Sequence, residues 1–202
     1  MIIGITGGTG CGKTTLLEAI KARGGLVLDC DAIYHRLLQT DEVMLARIAE
    51  RFPGTVTDGQ LRRKKLGSIV FADPEALGDL NSITHSAVKQ EVLRLLESKP
   101  SLAAIDAIGL FEGGLAPICD YTVAITAPEE LRIARLMARD GISHEYAAAR
   151  IAAQRSQAEF SALCDFTLEN DTTREAFSAK CLAFFRELAI IKKDQSEKET
   201  PL

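Results

Sequence analysis

Short apolar runs alternate along the chain with longer segments in which apolar residues recur every three or four positions. The first pattern is typical of buried strands, and the second is typical of amphipathic helices. The predicted strands are Ile2–Thr6, Leu26–Asp29, Leu102–Asp106, Tyr121–Thr126 and Phe166–Glu169. Helices are predicted over 13–22 and 173–191, and two more begin near Pro128 and Ser143. The stretch from 32 to about 97 is largely helical and includes predicted helices over 61–71 and 75–96. This alternation predicts an α/β fold, a parallel sheet flanked by helices on both faces.

The segment Gly7-Gly8-Thr9-Gly10-Cys11-Gly12-Lys13-Thr14 joins the first strand to the first helix and fits the pattern G-x-x-x-x-G-K-[ST]. Glycines allow a backbone to curl around an anion, and the helix N-terminus adds partial positive charge. In such a loop Lys13 would reach the β- and γ-phosphates, and the Thr14 hydroxyl would hold Mg²⁺. Glycine-rich stretches alone often form only turns. Here the lysine, the threonine, the strand and the helix coincide, which predicts a nucleotide-phosphate site.

Composition narrows the class of protein. The net charge of −4 over 202 residues argues against a general nucleic-acid binder. The five cysteines lack C-x-x-C spacing, so neither a disulfide framework nor a zinc site is predicted. Cys11 differs from the others because it lies in the phosphate loop, where its thiol could be sensitive to oxidation or alkylation. With no predicted signal peptide or membrane span, we expect a cytoplasmic protein without nucleic-acid or membrane partners.

Acidic residues follow two of the predicted strands, at the sheet edge where α/β proteins bind ligands. Asp29 and Asp31 could accept a proton from an attacking hydroxyl or hold a metal through water. Equally, both could simply cap the following helix. Asp106 stands where a Walker-B-type acid holds Mg²⁺, directly or through water, with a strand-end cap as the alternative. Glu112, slightly further on, could face an acceptor substrate.

Three arginines share one stripe of the helix that begins near Pro128, since Arg132, Arg135 and Arg139 are spaced i, i+3 and i+7. Mobile helices that carry arginines close over ATP in small kinases and neutralise the transferring phosphoryl group. A solvated basic face is the alternative for any single arginine.

Two further features concern an acceptor. The basic run 61–65 could dock a phosphate-bearing acceptor, or it could be a solvated helix face. His85 is isolated on a mostly apolar helix, where histidine is more often structural than catalytic.

Several separated motifs of the chain together resemble the dephospho-coenzyme A kinase family over nearly its whole length. Their order and spacing are specific, although one motif alone would be ordinary. The motifs are Ile5–Thr15, Leu28–Asp31 with its D-x-D, Arg63–Leu66, Val70-Phe71, Asp73-Pro74, Leu80-Asn81 with His85, Asp106 with Leu110–Glu112, Arg139–Gly141, Arg150-Ile151 with Gln154, and Asp165 with Asn170. The resemblance implies transfer of the γ-phosphoryl group of ATP to the ribose 3′-hydroxyl of dephospho-coenzyme A, the last step of coenzyme A synthesis.

The resemblance also implies a layout and residue roles. It implies a P-loop kinase core at 1–31, 98–131 and 161–191, a helical coenzyme-binding lobe at 32–97 and a lid at 132–160. The implied catalytic residues are Asp31 as general base, with Lys13 and Arg139 on the phosphates. The implied nucleotide-binding residues are Gly8, Gly10, Cys11, Gly12, Lys13, Thr14 and Thr15. The implied substrate-binding residues are Asp31, Arg63, His85 and Glu112, and Mg²⁺ would be held by Thr14 and Asp106.

The chain departs from the family pattern at several positions. Cys11 replaces a usual serine, Ser86 replaces a proline, and Ile108-Gly109 stands where the family has proline and leucine. These departures concern the acceptor pocket more than the ATP site. Two other functions therefore stay open: a P-loop kinase acting on a nucleoside or nucleotide, and a nucleotide-binding regulator that transfers nothing.

Overall fold

The computed structural model describes residues 1–198, with side chains as far as Ala189. A five-stranded sheet has the strand order β2-β5-β1-β6-β7, and β6 pairs with β7 in parallel. The strands of this sheet are β1 Ile2–Thr6, β2 Leu26–Asp29, β5 Ala103–Asp106, β6 Tyr121–Thr126 and β7 Phe166–Glu169. A short antiparallel pair is formed by β3 Val56–Thr57 and β4 Gln60–Leu61. All five strands of the predicted sheet are confirmed, four of them to the residue.

The helices alternate with these strands. They are α1 Lys13–Lys21, α2 Cys30–Thr40, α3 Glu42–Arg51, α4 Arg63–Val70, α5 Pro74–Leu96, α6 Glu129–Asp140, α7 His144–Ala152, α8 Gln157–Leu163 and α9 Arg174–Lys198. None of the helices in residues 1–198 combines the length and the apolarity that crossing a membrane requires.

Contacts group the chain into two compact units. The first unit comprises Met1–Gly4 and Leu28–Asp120. Its long helix α5 packs against α2, α3 and α4, and Ile83 and Val92 are among the buried residues of α5. The second unit comprises Ile5–Val27 and the chain from Tyr121 onward, in which α1 packs on α9 and α6 packs on α7.

The structure corrects one local prediction and adds one helix. The helix predicted over 61–71 begins at Arg63, because residues 56–61 form the β3–β4 hairpin. Asp58 and Gly59 at its turn both have positive φ, 52° and 71°, which is the geometry that Asp-Gly hairpin turns adopt. The helix α8 was not predicted. Its start carries a capping box in which Ser156 and Glu159 bond each other's backbone N–H groups.

Candidate active site

The phosphate loop, residues 7–14, takes a conformation that only glycine adopts easily. Gly7 has φ 132°, and a Cβ there would collide with the carbonyl oxygen of Ile125. Gly12 has φ 90° and is the N-cap of α1, but within the described residues no side chain caps that helix. The first N–H groups of a helix have no intrahelical acceptor, so those of Lys13 and Thr14 are suited to an anion. The N–H of Thr15 already donates to the Gly12 carbonyl at 3.2 Å.

Side chains bond the carbonyl oxygens of the phosphate loop. The Lys13 ammonium donates to the Gly7 carbonyl at 2.8 Å. The Arg132 guanidinium donates through Nε to the Thr9 carbonyl at 2.9 Å. In a trans peptide the next N–H points away from the carbonyl, so these bonds direct the N–H groups of residues 8 and 10 to the other side of the backbone.

Two more carbonyls of the loop are bonded in the same way. Arg135 donates through Nη1 to Gly10 at 3.1 Å and through Nη2 to the Asn170 side-chain oxygen, also at 3.1 Å. Asn170 in turn donates through Nδ2 to the Cys11 carbonyl at 2.8 Å. The loop is therefore shaped for an anion by side chains that come from α6 and from the end of β7.

Cys11 lies in this loop but is only 1% exposed. Burial raises the pKa of its thiol, and the nearby charges of Arg132 and Lys13 offset only part of that rise. Because the reactive species is the thiolate, the structure disfavours the expectation that this thiol oxidises or alkylates readily.

The three arginines of the predicted stripe occupy three different environments. Arg132 is 3% exposed and Arg135 is half-buried, both bonded to the phosphate loop as described. Arg139 is exposed and forms a two-pronged pair with Asp140, at 2.7 and 2.9 Å. Arg150 on α7 donates to the same carboxylate at 2.7 Å. Asp140 thus joins the end of α6 to α7, and a solvated basic face is the wrong description for Arg132.

In the first unit, the aspartate that ends β2 and the one two positions later differ in their surroundings. The Asp29 carboxylate accepts the N–H of Ala32 at 2.9 Å and caps α2. Asp31 lies in the first turn of α2, where it is exposed. Between them, the Cys30 thiol has its pKa raised to about 12 by burial and by the carboxylates of Asp106, Asp29 and Asp31. Of the two alternatives for these aspartates, helix capping therefore holds for Asp29 and not for Asp31.

Asp31 lines a cavity of about 250 Å³ inside the first unit. Its other lining residues are Cys30, Tyr34, Leu80, Asn81, Thr84, His85, Val88, Ala107, Ile108, Gly109, Gly113 and Leu115. A Cβ on Gly109 would lie 3.9 Å from Glu112 Oε2 and 4.0 Å from His85 Nε2. The structure thus brings together Asp31, His85 and Glu112, which are separated in sequence by up to 81 positions.

Arg63 lines a second cavity of about 230 Å³ in the same unit. The two cavities share Tyr34 and Leu80 in their linings, so they adjoin. The second cavity is mostly apolar, and Arg63 stands at the start of α4 beside it. The predicted substrate-binding residues therefore all belong to one pair of adjoining cavities or lie beside it.

The predicted metal ligands are a hydroxyl and a carboxylate. Thr14 is exposed in the first turn of α1, and Asp106 is half-buried at the end of β5. Within the described residues, no group of three or more His, Cys, Asp or Glu side chains could hold a metal ion. Mg²⁺ does not need such a group, since it keeps several waters and binds one or two protein ligands together with substrate phosphates.

The chain has an α/β fold, and a glycine loop followed by a lysine joins its first strand to its first helix. These features define the class of P-loop kinases. Shikimate kinase from Bacteroides thetaiotaomicron has the same fold, with a TM-score of 0.53 over 94% of this chain and 98% of that one at 16% identity. A dephospho-CoA kinase from Campylobacter jejuni has a TM-score of 0.64 at 27% identity over 93% and 96%. A protein from Thermus thermophilus has a TM-score of 0.77 at 34% identity over 93% and 97%.

Sequence comparison gives the particular family. The family model described as dephospho-CoA kinase matches residues 1–175. The dephospho-CoA kinase of Anaeromyxobacter dehalogenans is 40% identical over 89% of this chain and 88% of its own. That of Deinococcus radiodurans is 37% identical over 93% and 92%. The chain belongs to the dephospho-CoA kinase family, as its motifs predicted.

Proposed function

We propose that this chain transfers the γ-phosphoryl group of ATP to the ribose 3′-hydroxyl of dephospho-coenzyme A, giving coenzyme A and ADP. Membership of the dephospho-CoA kinase family supports the reaction. The observation that carries it is the phosphate loop. Its helix α1 has no side-chain cap among the described residues, and its carbonyls accept hydrogen bonds from the side chains of Lys13 and Arg132. Such a loop binds the phosphates of ATP through its N–H groups.

The acceptor binds in the adjoining cavities of the first unit, with Asp31 as general base. The ribose 3′-oxygen attacks the γ-phosphorus, the bond from that phosphorus to the β,γ-bridging oxygen breaks, and the hydroxyl proton passes to the Asp31 carboxylate. The exposure of Asp31 at the cavity wall supports this role, since Asp29 alone caps the helix. His85, Glu112 and Arg63 hold the rest of the acceptor.

Charge stabilisation supplies most of the catalysis in such a transfer. The positive charges of Lys13 and Arg139 stabilise the transferring phosphoryl group, and the loop residues Gly8 to Thr15 bind the nucleotide. The Thr14 hydroxyl and the Asp106 carboxylate suit Mg²⁺, which prefers oxygen ligands. When bound, Mg²⁺ neutralises charge on the β- and γ-phosphates. We further propose a cytoplasmic enzyme of small-molecule substrates, built as core, lobe 32–97 and lid 132–160.

The test is ADP release from ATP and Mg²⁺, measured with and without dephospho-coenzyme A, together with the mass of the product. ADP release that depends on the acceptor, with one phosphoryl group added, supports the proposal. A panel of nucleosides and nucleotides run beside it identifies a different acceptor. Nucleotide binding with no turnover on any acceptor contradicts the proposal and favours a regulator.

A further inference from the structure

Both backbone groups of Thr9 in the phosphate loop are bonded by side chains that lie far along the chain. Its N–H donates to the Gln154 side-chain oxygen at 2.8 Å. Its carbonyl accepts from Arg132 Nε at 2.9 Å. Arg132 Nη2 also reaches the same Gln154 oxygen, at 3.5 Å. The three residues therefore close a ring, which fixes the orientation of the two peptide groups on either side of Thr9.

The cation in this ring is buried, and among the described residues no carboxylate is bonded to it. Arg132 is 3% exposed, and within the described residues its hydrogen-bond acceptors are a carbonyl and an amide oxygen. A buried charge is costly unless it is paired, so this guanidinium favours a nearby anion. It lies over the loop itself, because a Cβ on Gly8 would collide with its Nη2.

Gln154 connects the ring to the predicted lid. It follows α7, which ends at Ala152, and precedes Ser156, the N-cap of α8. The ring therefore holds the short link between two lid helices against the Thr9 peptide. A change in this link would be transmitted to the loop through one hydrogen-bond acceptor.

We propose that Arg132 and Gln154 are positioning residues for phosphoryl transfer. They hold the Thr9 peptide groups so that the Gly10 N–H points toward the bound phosphates, and they place one buried positive charge beside the loop. Neither role requires Arg132 to leave the ring and reach ATP as a mobile lid arginine. The proposal rests on the proposed function only in that the bound anion is the polyphosphate of ATP.

Three variants separate positioning from a merely structural role, with Arg47→Lys, an exposed arginine on α3, as the control. Gln154→Met removes the oxygen that accepts the Thr9 N–H and leaves a side chain of similar size. Gln154→Glu keeps an oxygen that accepts the Thr9 N–H, but its negative charge offsets the positive charge of Arg132. Arg132→Lys keeps the charge but loses the two-pronged bond. For each variant, the affinity for ATP with Mg²⁺ is measured calorimetrically without acceptor, followed by kcat, both KM values and the unfolding temperature.

We expect Gln154→Met to weaken ATP binding about tenfold, the size of one lost hydrogen bond to a well-placed group. Gln154→Glu should also weaken ATP binding about tenfold while its unfolding temperature stays level or rises, a combination that a structural role does not give. The KM for the acceptor should stay within twofold in both. Adding Gln154→Met to Arg132→Lys should cost less than the two single effects combined, since the ring acts as a unit.

ATP affinity and kcat within twofold of wild type in both Gln154 variants would overturn the proposal, even if Arg132→Lys does not fold. ATP affinity is read without an acceptor. If the wild-type chain binds ATP but does not phosphorylate dephospho-coenzyme A, the proposed function is contradicted. The binding data of the variants still decide the role of the ring in that case.

Discussion

The Asp29 carboxylate accepts a hydrogen bond from the N–H of Ala32 at 2.9 Å, and this bond distinguishes two aspartates that the sequence presents as equals. Asp29 is the N-cap of α2, and Asp31 lies in the first turn of that helix without capping it. Asp31 instead lies exposed on the wall of the cavity that also includes His85. The strand β2 thus ends in a structural aspartate, whereas the aspartate in the first turn of α2 is available for chemistry.

This distinction predicts opposite phenotypes for the two aspartates. Asp29→Ala should lower the free energy of unfolding by about 1 kcal/mol, the usual cost of a lost N-cap, and Asp29→Asn should restore it. Asp31→Asn should leave stability nearly unchanged, keep ATP binding and lower kcat about 100-fold or more, because the general base is lost. Denaturant unfolding and steady-state kinetics measure both effects. Full turnover in Asp31→Asn would remove Asp31 as the base.

The sheet and most helices could be predicted because their signals are local. The five strands are short apolar runs, and Ser143 marks the start of α7 as a capping residue. The β3–β4 hairpin and α8 were missed although Asp58-Gly59 and the Ser156–Glu159 box are recognisable local signals. Short elements of this kind carry too few periodic positions to stand out between longer helices.

The phosphate loop could be predicted, but the groups that shape it could not. Gln154 and Asn170 bond the loop from 145 and 159 positions away, and spacing along a chain does not encode such contacts. The stripe of arginines shows the same limit. Helical periodicity places Arg132 and Arg139 on one face, yet tertiary packing buries the first and leaves the second exposed beside Asp140.

Gly109 tests whether the departure from the family pattern at 108–109 shapes the acceptor cavity. A Cβ there fits at ordinary contact distance from Glu112 and His85, so Gly109→Ala should fold normally. It should occupy space between two predicted substrate-binding side chains and raise the KM for dephospho-coenzyme A several-fold. The KM for ATP should not change. Gly78→Ala on α5, where a Cβ meets nothing within 4 Å, is the matched control. An unchanged acceptor KM would exclude this wall from the binding site.

The cysteines give a prediction with a defined pH window. Burial and neighbouring carboxylates raise the pKa of Cys30 from its ordinary 9.0 to about 12, so the folded state favours the neutral thiol. Its contribution to stability is complete below pH 9 and is lost as pH rises from 9 toward 12. Cys30→Ser should reduce that alkaline loss in urea unfolding. Cys11 and Cys30 should resist iodoacetamide at pH 8 in the folded protein and react in urea. Rapid labelling at Cys11 or Cys30 in the native protein at pH 8, located by peptide mass, would contradict their burial.

Asp140 gives the last prediction, because it holds two arginines of the predicted lid. Hydrogen bonds from Arg139 and Arg150 keep the pKa of its carboxyl well below the usual range. The stability it contributes is therefore present above pH 4, the usual range of an unfolded aspartate, and is lost only as the pH falls well below that. Asp140→Asn should destabilise the protein at pH 7 and progressively less as the pH falls below 4, because the unfolded wild-type chain then takes up the proton that the folded carboxyl resists.

The same substitution should lower kcat several-fold, because Arg139 and Arg150 lose the carboxylate that orders them, whereas the KM for dephospho-coenzyme A should not change. Asp171→Asn is the matched control, since Asp171 also pairs with a cation, Lys180 at 2.8 Å, but lies outside the lid. The stability effect of both variants should weaken in the same direction as the pH falls, since both carboxyls have a lowered pKa. Only Asp140→Asn should lose turnover. Equal kcat values in the two variants would mean that the order of these arginines does not matter for phosphoryl transfer.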